Sequence, residues 1–107
     1  MKVWLDDLRE GPPGWLHVTT AQEAINALRT KKVTQISLDH DLGAPENGTG
    51  YDVASFIEQE SFMMTLPRLV WTVHTQNPVG RVKMTVALEH ADSSWDKRDE
   101  FMRKGIK

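Results

Sequence analysis

The sequence predicts one α/β domain, a mostly parallel sheet of about four strands with helices on both faces. Three observations carry this expectation. Short, nearly continuous apolar runs alternate with amphipathic helical stretches, the pattern of strands buried beneath helices. Three of those runs end in polar clusters: Asp6-Asp7, Asp39-His40-Asp41 and His74-Thr75. The chain has 107 residues, 39% hydrophobic and 26% charged, which is the size and composition of a single globular core.

Each element has its own signal. Residues 2–5 form a short apolar strand that runs into two aspartates. The cluster Arg9-Glu10-Gly11-Pro12-Pro13-Gly14 is loop, and residues 15–19 form a second β-prone run. Thr20-Ala21-Gln22-Glu23 is a capping box, in which the Thr20 hydroxyl and the Glu23 carboxylate satisfy free N–H groups at a helix start. That helix carries Ala24, Ile25 and Leu28 and ends near Lys31-Lys32, cations that suit the negative end of its dipole.

Residues 33–38 form the third strand, followed by the polar loop Gly43-Ala44-Pro45-Glu46-Asn47-Gly48-Thr49-Gly50. A helix resumes near Tyr51 with Val53, Phe56 and Ile57 on one face, and Met63-Met64 fills gaps at its end. Residues 66–73 form the fourth strand, with Leu69, Val70, Trp71 and Val73 apolar. Asn77-Pro78 is a good N-cap and N1 pair, and the helix beyond it carries Val79, Val82, Val86 and Ala87. The core domain is expected over residues 1–91. Residues 92–107 form a charged tail, a short docked helix or a frayed end, with Trp95, Phe101, Met102 and Ile106 scattered through it. Trp4 and Trp71 are expected in the core. Trp15 and Trp95 could stack on a base, although packing is favoured.

Composition excludes several chemistries. With no cysteine, there is no disulfide scaffold, thiolate zinc site, iron–sulfur cluster or cysteine nucleophile. Thirteen Lys and Arg against fifteen Asp and Glu give a net charge of -2, which argues against nucleic-acid binding driven mainly by counterion release. A signal peptide needs about 7–15 apolar residues near the start, but this chain turns acidic at Asp6. No run approaches the ~18 apolar residues of a membrane span. The expectation is a cytoplasmic protein, complete or nearly so, with no membrane partner.

In an open parallel sheet, ligands bind at the carboxyl ends of the strands, where the strand order reverses. Asp6, Asp7, Asp39 and Asp41 would meet there and repel one another, so they call for a cation. A hard divalent ion, Mg²⁺ or else Mn²⁺, is the natural neutraliser, held through carboxylate oxygens. His40 and His74 lie at strand ends and could move a proton, ligate a metal or serve as plain hydrogen-bonding residues. His17 and His90 read as surface or packing residues. Gly48-Thr49-Gly50 could cradle a phosphate at a helix start, although no Gly-Lys-Ser/Thr follows as a P-loop requires. Arg9 and Arg81, with Lys83 as a lesser candidate, could pair with a phosphate, and Asn77 opens a second helix start beside them.

These residues resemble a known family. Leu5-Asp6-Asp7 after the first strand and Asp39 after the third are similar to the acidic pair and phosphoacceptor of two-component receiver domains. The fuller set is Val3-Trp4-Leu5-Asp6-Asp7-Leu8-Arg9, Ile36-Ser37-Leu38-Asp39-His40-Asp41-Leu42-Gly43, Asn47-Gly48-Thr49-Gly50-Tyr51-Asp52 and His74-Thr75-Gln76-Asn77-Pro78-Val79-Gly80. It resembles the cyclic-phosphate-processing receiver domain over residue 1 to about residue 91. The resemblance implies a receiver-like, flavodoxin-like three-layer sandwich, truncated because the fifth strand and its lysine are missing. It places Thr75 at the position of the receiver hydroxyl residue. It implies a cyclic phosphate as substrate, either a 2′,3′-cyclic RNA end or a cyclic nucleotide.

Two functions follow from this reading. One is a metal-dependent phosphoesterase, with Asp6, Asp7, Asp39 and Asp41 on the metal and Asp39, His40 and His74 in catalysis. In it, Arg9, Gly48, Thr49, Thr75, Asn77 and Arg81 lie on the substrate. The other is a non-catalytic module that sequesters a nucleotide or docks a partner. The open edge left by the missing strand would suit a homodimer or a protein partner.

Overall fold

The structure, a computed structural model, describes residues 1–105; Ile106, expected in the tail, lies outside the described residues. Its elements are β1 (Lys2–Leu5), β2 (Leu16–Val18), α1 (Ala21–Arg29), β3 (Gln35–Leu38), a 3-10 turn (Pro45–Asn47), α2 (Gly50–Phe62), β4 (Val70–Val73) and α3 (Pro78–Gly105). The strands form one all-parallel sheet in the order β2-β1-β3-β4. This is a receiver-like α/β fold with the four strands the sequence predicts.

The helical layers differ from expectation. Both crossovers, β2-α1-β3 and β3-α2-β4, advance in one direction along the sheet, and right-handed connections then put α1 and α2 on the same face. α3 packs along α2, so three helices share one layer. Only β1 to β2 runs the other way, and residues 6–15 between them contain no helix. The helices therefore cover one face, not both, and among the described residues the far face carries none. Strand burial agrees. Val3, Leu5, Ile36 and Leu38 point toward the helices and are fully buried, while Lys2, His17 and Thr72 on the other side are exposed.

The far face is covered locally by the β1–β2 loop. A Cβ on Gly11 would stand 2.5 Å from the Trp4 ring, so glycine is needed for the loop to lie flat on it. Trp15 meets Trp4 edge-on with centroids 6.3 Å apart. Trp4 and Trp71, expected in the core, are half-buried. Thr20 and Glu23 form the predicted capping box of α1.

The C-terminal region is also better ordered than expected. Residues 78–105 form one continuous helix of 28 residues. It is about 42 Å long at 1.5 Å per residue. Its buried stripe is Gly80, Met84, Ala87, Leu88, Ala91 and Trp95, whereas Val79, Val82 and Val86 face outward. Trp95 is wholly buried, not a platform for a base, and its Nε1–H donates to the Leu66 carbonyl at 2.9 Å. Met63 and Met64, expected as gap-fillers, are exposed. No helix of the described residues is long and apolar enough to cross a membrane.

Candidate functional site

The strand order reverses between β1 and β3, so their carboxyl ends flank the crevice of the sheet. Asp6 follows β1 and Asp39 follows β3, and both are buried. Asp39 is fixed from two sides. Its N–H donates to Leu5 O at 2.9 Å, and α2 begins against its carbonyl. A Cβ on Gly50 would stand 1.8 Å from that oxygen, so only glycine lets α2 start there.

A cleft of about 390 Å³ opens at this edge. Asp6, Asp7, Arg9, Asp39 and Asp41 line one part of it, and Thr75, Gln76 and Asn77 the other. Three strand ends thus supply it, as the polar clusters predicted. Gln76 is an additional lining residue that sequence reading did not single out.

Asp6 is saturated with donors. Its Oδ1 accepts the N–H groups of Leu8 and Arg9, each at 2.8 Å. Its Oδ2 faces Arg9 Nε at 3.0 Å and His74 Nε2 at 3.1 Å. Burial alone would raise the Asp6 carboxyl, but these four donors outweigh it and hold the group below the usual carboxylate range. Asp6 is therefore an ionised acceptor, and His74 Nε2 must carry the proton between them.

That assignment orders the rest of the chain. With Nε2 protonated on a neutral ring, His74 Nδ1 accepts from the Ser37 hydroxyl at 2.7 Å, and Ser37 accepts from Thr72 at 2.8 Å. The ring stacks on Trp4 with centroids 3.9 Å apart and planes 4° from parallel. Both ring nitrogens are thus engaged, and His74 buttresses Asp6 from the helix-free face.

Burial holds the His74 imidazole below its ordinary range, against the pull of Asp6. The unfolded chain therefore binds more protons here than the folded one, and stability must fall with acid. The contribution is complete above the ordinary pKa of 6.5 and is lost as pH drops from there toward the folded value. The urea midpoint should fall between about pH 7 and pH 5, with a flatter profile in His74→Gln. An equal slope in the variant would exclude His74 as the source.

His40 is arranged differently. Its Nδ1 lies 2.9 Å from Asp41 Oδ1, and this bond is the main reason the Asp41 carboxyl lies below its usual range. Asn77 caps α3 by accepting the Gly80 N–H at 3.0 Å, and its Nδ2 reaches Asp41 at 3.4 Å. A Cβ on Gly80 would stand 2.5 Å from the His40 ring, so the first turn of α3 packs directly on the imidazole. His40 Nε2 has no partner among the described residues.

The other expected ligand residues separate. Arg81 donates to the Val73 and Thr75 carbonyls and braces the end of β4 outside the cleft. Gly48 and Thr49 also lie outside it. Thr49 caps α2, and its N–H is taken by the Asp52 carboxylate at 2.9 Å, so that loop does not present a free N–H nest there. Thr75 lines the cleft and is fully buried, its hydroxyl accepting the Asn77 N–H at 3.2 Å.

Ligand atoms of Asp6, Asp39 and His74 fall within 4.8 Å of one another. Asp7 and Asp41 line the same cleft but stand outside that group. Asp6 and Asp39, with Asp7 at the rim, offer the hard oxygen donors that Mg²⁺ or Mn²⁺ prefers, although the lone pairs of Asp6 are engaged by four donors. His74 Nε2 is already committed to Asp6.

No curated protein matches the chain. No solved structure matches it either. A family model does match, that of the cyclic-phosphate processing receiver domain, over residues 1–90. The matched span contains every strand, both acidic strand ends and the whole cleft. The chain belongs to the cyclic-phosphate processing receiver domain family.

Proposed function

We propose that the cleft binds a cyclic phosphate, the 2′,3′-cyclic end of an RNA or a cyclic nucleotide, and hydrolyses it to a phosphomonoester with a divalent cation. The observation that carries this reading is the convergence of buried Asp6 and Asp39 at the strand-order reversal in a chain of this family. Asp6 and Asp39, with Asp7 at the rim, would hold Mg²⁺ or Mn²⁺. When bound, such an ion stabilises developing charge on phosphate oxygens and acidifies water.

The chain's own residues supply orientation and proton transfer. Thr75 and Asn77 bound the ligand on the β4 side, and Arg9 offers a planar fork to a phosphate. His40 would accept the proton: Asp41, which lines the cleft, is bonded to its Nδ1, while the imidazole itself packs beneath the first turn of α3 and borders the cleft without lining it. Hydrolysis forms one P–O bond to water and breaks one to a ribose oxygen. The water proton goes to His40, and the departing oxygen takes a proton in return.

A second reading has its own support. Asp6 and His74 are fully satisfied internally, which suits a rigid pocket that holds a nucleotide or docks a partner without turnover. One experiment separates the two. Incubation with a panel of 2′,3′- and 3′,5′-cyclic nucleotides, with Mg²⁺ or with EDTA, is read by mass. Gain of one water that depends on metal supports hydrolysis. Tight binding with unchanged ligand recovered overturns it in favour of the binding module.

A further inference from the structure

We propose that Arg9 exchanges partners: its guanidinium holds Asp6, and a divalent cation displaces it toward the phosphate of the ligand. The inference rests on the cation reading above and follows from counting acceptors. A carboxylate offers about four lone-pair sites. On Asp6 two are taken by the backbone N–H groups of Leu8 and Arg9, one by His74 Nε2 and one by Arg9 Nε. A cation can therefore reach Asp6 only if a donor leaves.

Three of the four donors are fixed. Leu8 and Arg9 N–H belong to the turn that follows β1. The His74 ring is stacked on Trp4 and held at Nδ1 by Ser37. The Arg9 side chain is 49% exposed and reaches in from a surface loop, and its one other hydrogen bond, from Nη2 to the His74 carbonyl at 3.2 Å, is exposed. Its Nη2 lies 3.7 Å from Asp39 Oδ2, so the guanidinium neutralises the same two carboxylates that a divalent ion would. A guanidinium and a divalent ion packed together there would repel strongly. The displaced group lines the cleft and is a planar donor suited to two phosphate oxygens.

The exchange predicts opposite signs for two affinities. By calorimetry, Arg9→Met should bind Mg²⁺ about tenfold more tightly than wild type, the worth of one charge-assisted hydrogen bond. With Mg²⁺ saturating, the same variant should bind inorganic phosphate about tenfold more weakly. In the wild type, the Arg9 Nε–H signal in NMR should lose its protection from solvent exchange as Mg²⁺ is added. This measurement stands even if the variant does not fold. Equal or weaker Mg²⁺ binding by a folded Arg9→Met, or an Nε–H signal unmoved by bound Mg²⁺, overturns the exchange and leaves the cation site standing. If neither protein binds Mg²⁺, the cation reading falls and the exchange falls with it.

Discussion

Asp39→Asn should cut metal-dependent turnover of 2′,3′-cyclic AMP by on the order of a hundred- to a thousandfold, the usual cost of removing one charge-stabilising group. The substitution keeps the shape of the side chain. Its Oδ1 can still accept the His40 N–H, a bond of 2.8 Å, so the turn after β3 is preserved. What disappears is the charge on Oδ2, the atom that faces Arg9 and the cleft. Melting without metal should therefore change little, while the stabilisation by added Mg²⁺ should vanish. Initial rates by chromatography and melting curves with and without Mg²⁺ check both halves. A folded variant with undiminished turnover would remove Asp39 from the chemistry.

The site was legible because a parallel sheet turns sequence-distant strand ends into neighbours. Asp6 and Asp39 could be paired from their positions after apolar runs alone. Side-chain direction was not legible in the same way. His74 follows the fourth strand and Arg81 lies in the first turn of α3; His74 turns beneath Asp6, whereas Arg81 reaches back onto the backbone carbonyls at the end of that strand. The direction of His74 is set by Trp4 and Ser37, which lie far away in the chain. Ser37 did leave a signal, a hydroxyl in the middle of the apolar run Ile36-Ser37-Leu38. A buried hydroxyl must find a partner, and its partner is the ring that supports the site.

The missing second layer also had a local cause in plain sight. Gly11-Pro12-Pro13-Gly14 occupies the stretch where a crossover helix between the first two strands would lie, and it cannot form one. General experience of parallel sheets, which are usually covered on both faces, pointed the other way. In α3 the error was one of register. Valines at 79, 82 and 86 look like an apolar stripe, but the buried face of α3 is built from Gly80, Ala87 and Ala91 around Met84, Leu88 and Trp95. Close helix contact selects small residues there, and a count of hydrophobicity does not see them.

Trp95→Ala should destabilise the fold by about 3–5 kcal/mol. That is a large part of the ~5–15 kcal/mol that holds a small domain together. Trp95 follows the family match, which ends at residue 90, yet it is the largest fully buried side chain. Its indole Nε1–H donates to the Leu66 carbonyl, in the stretch between α2 and β4 where Leu66 and Leu69 are also buried. Arg68 crosses the ring at 5.9 Å from its centroid and is tied in turn to Asp96 and Asp99. The family span and the folding unit therefore differ, and truncation after Ala91 should melt far below the full chain. Trp95→Phe separates the contributions, because it keeps most of the packing and loses the bond to Leu66 O. It should cost about 1 kcal/mol for that bond, plus the smaller ring's loss of contact. Urea midpoints of the three proteins decide the matter. If Trp95→Ala lies within about 0.5 kcal/mol of wild type, inside the range of ordinary surface changes, the second half of α3 is not docked and the core closes without it.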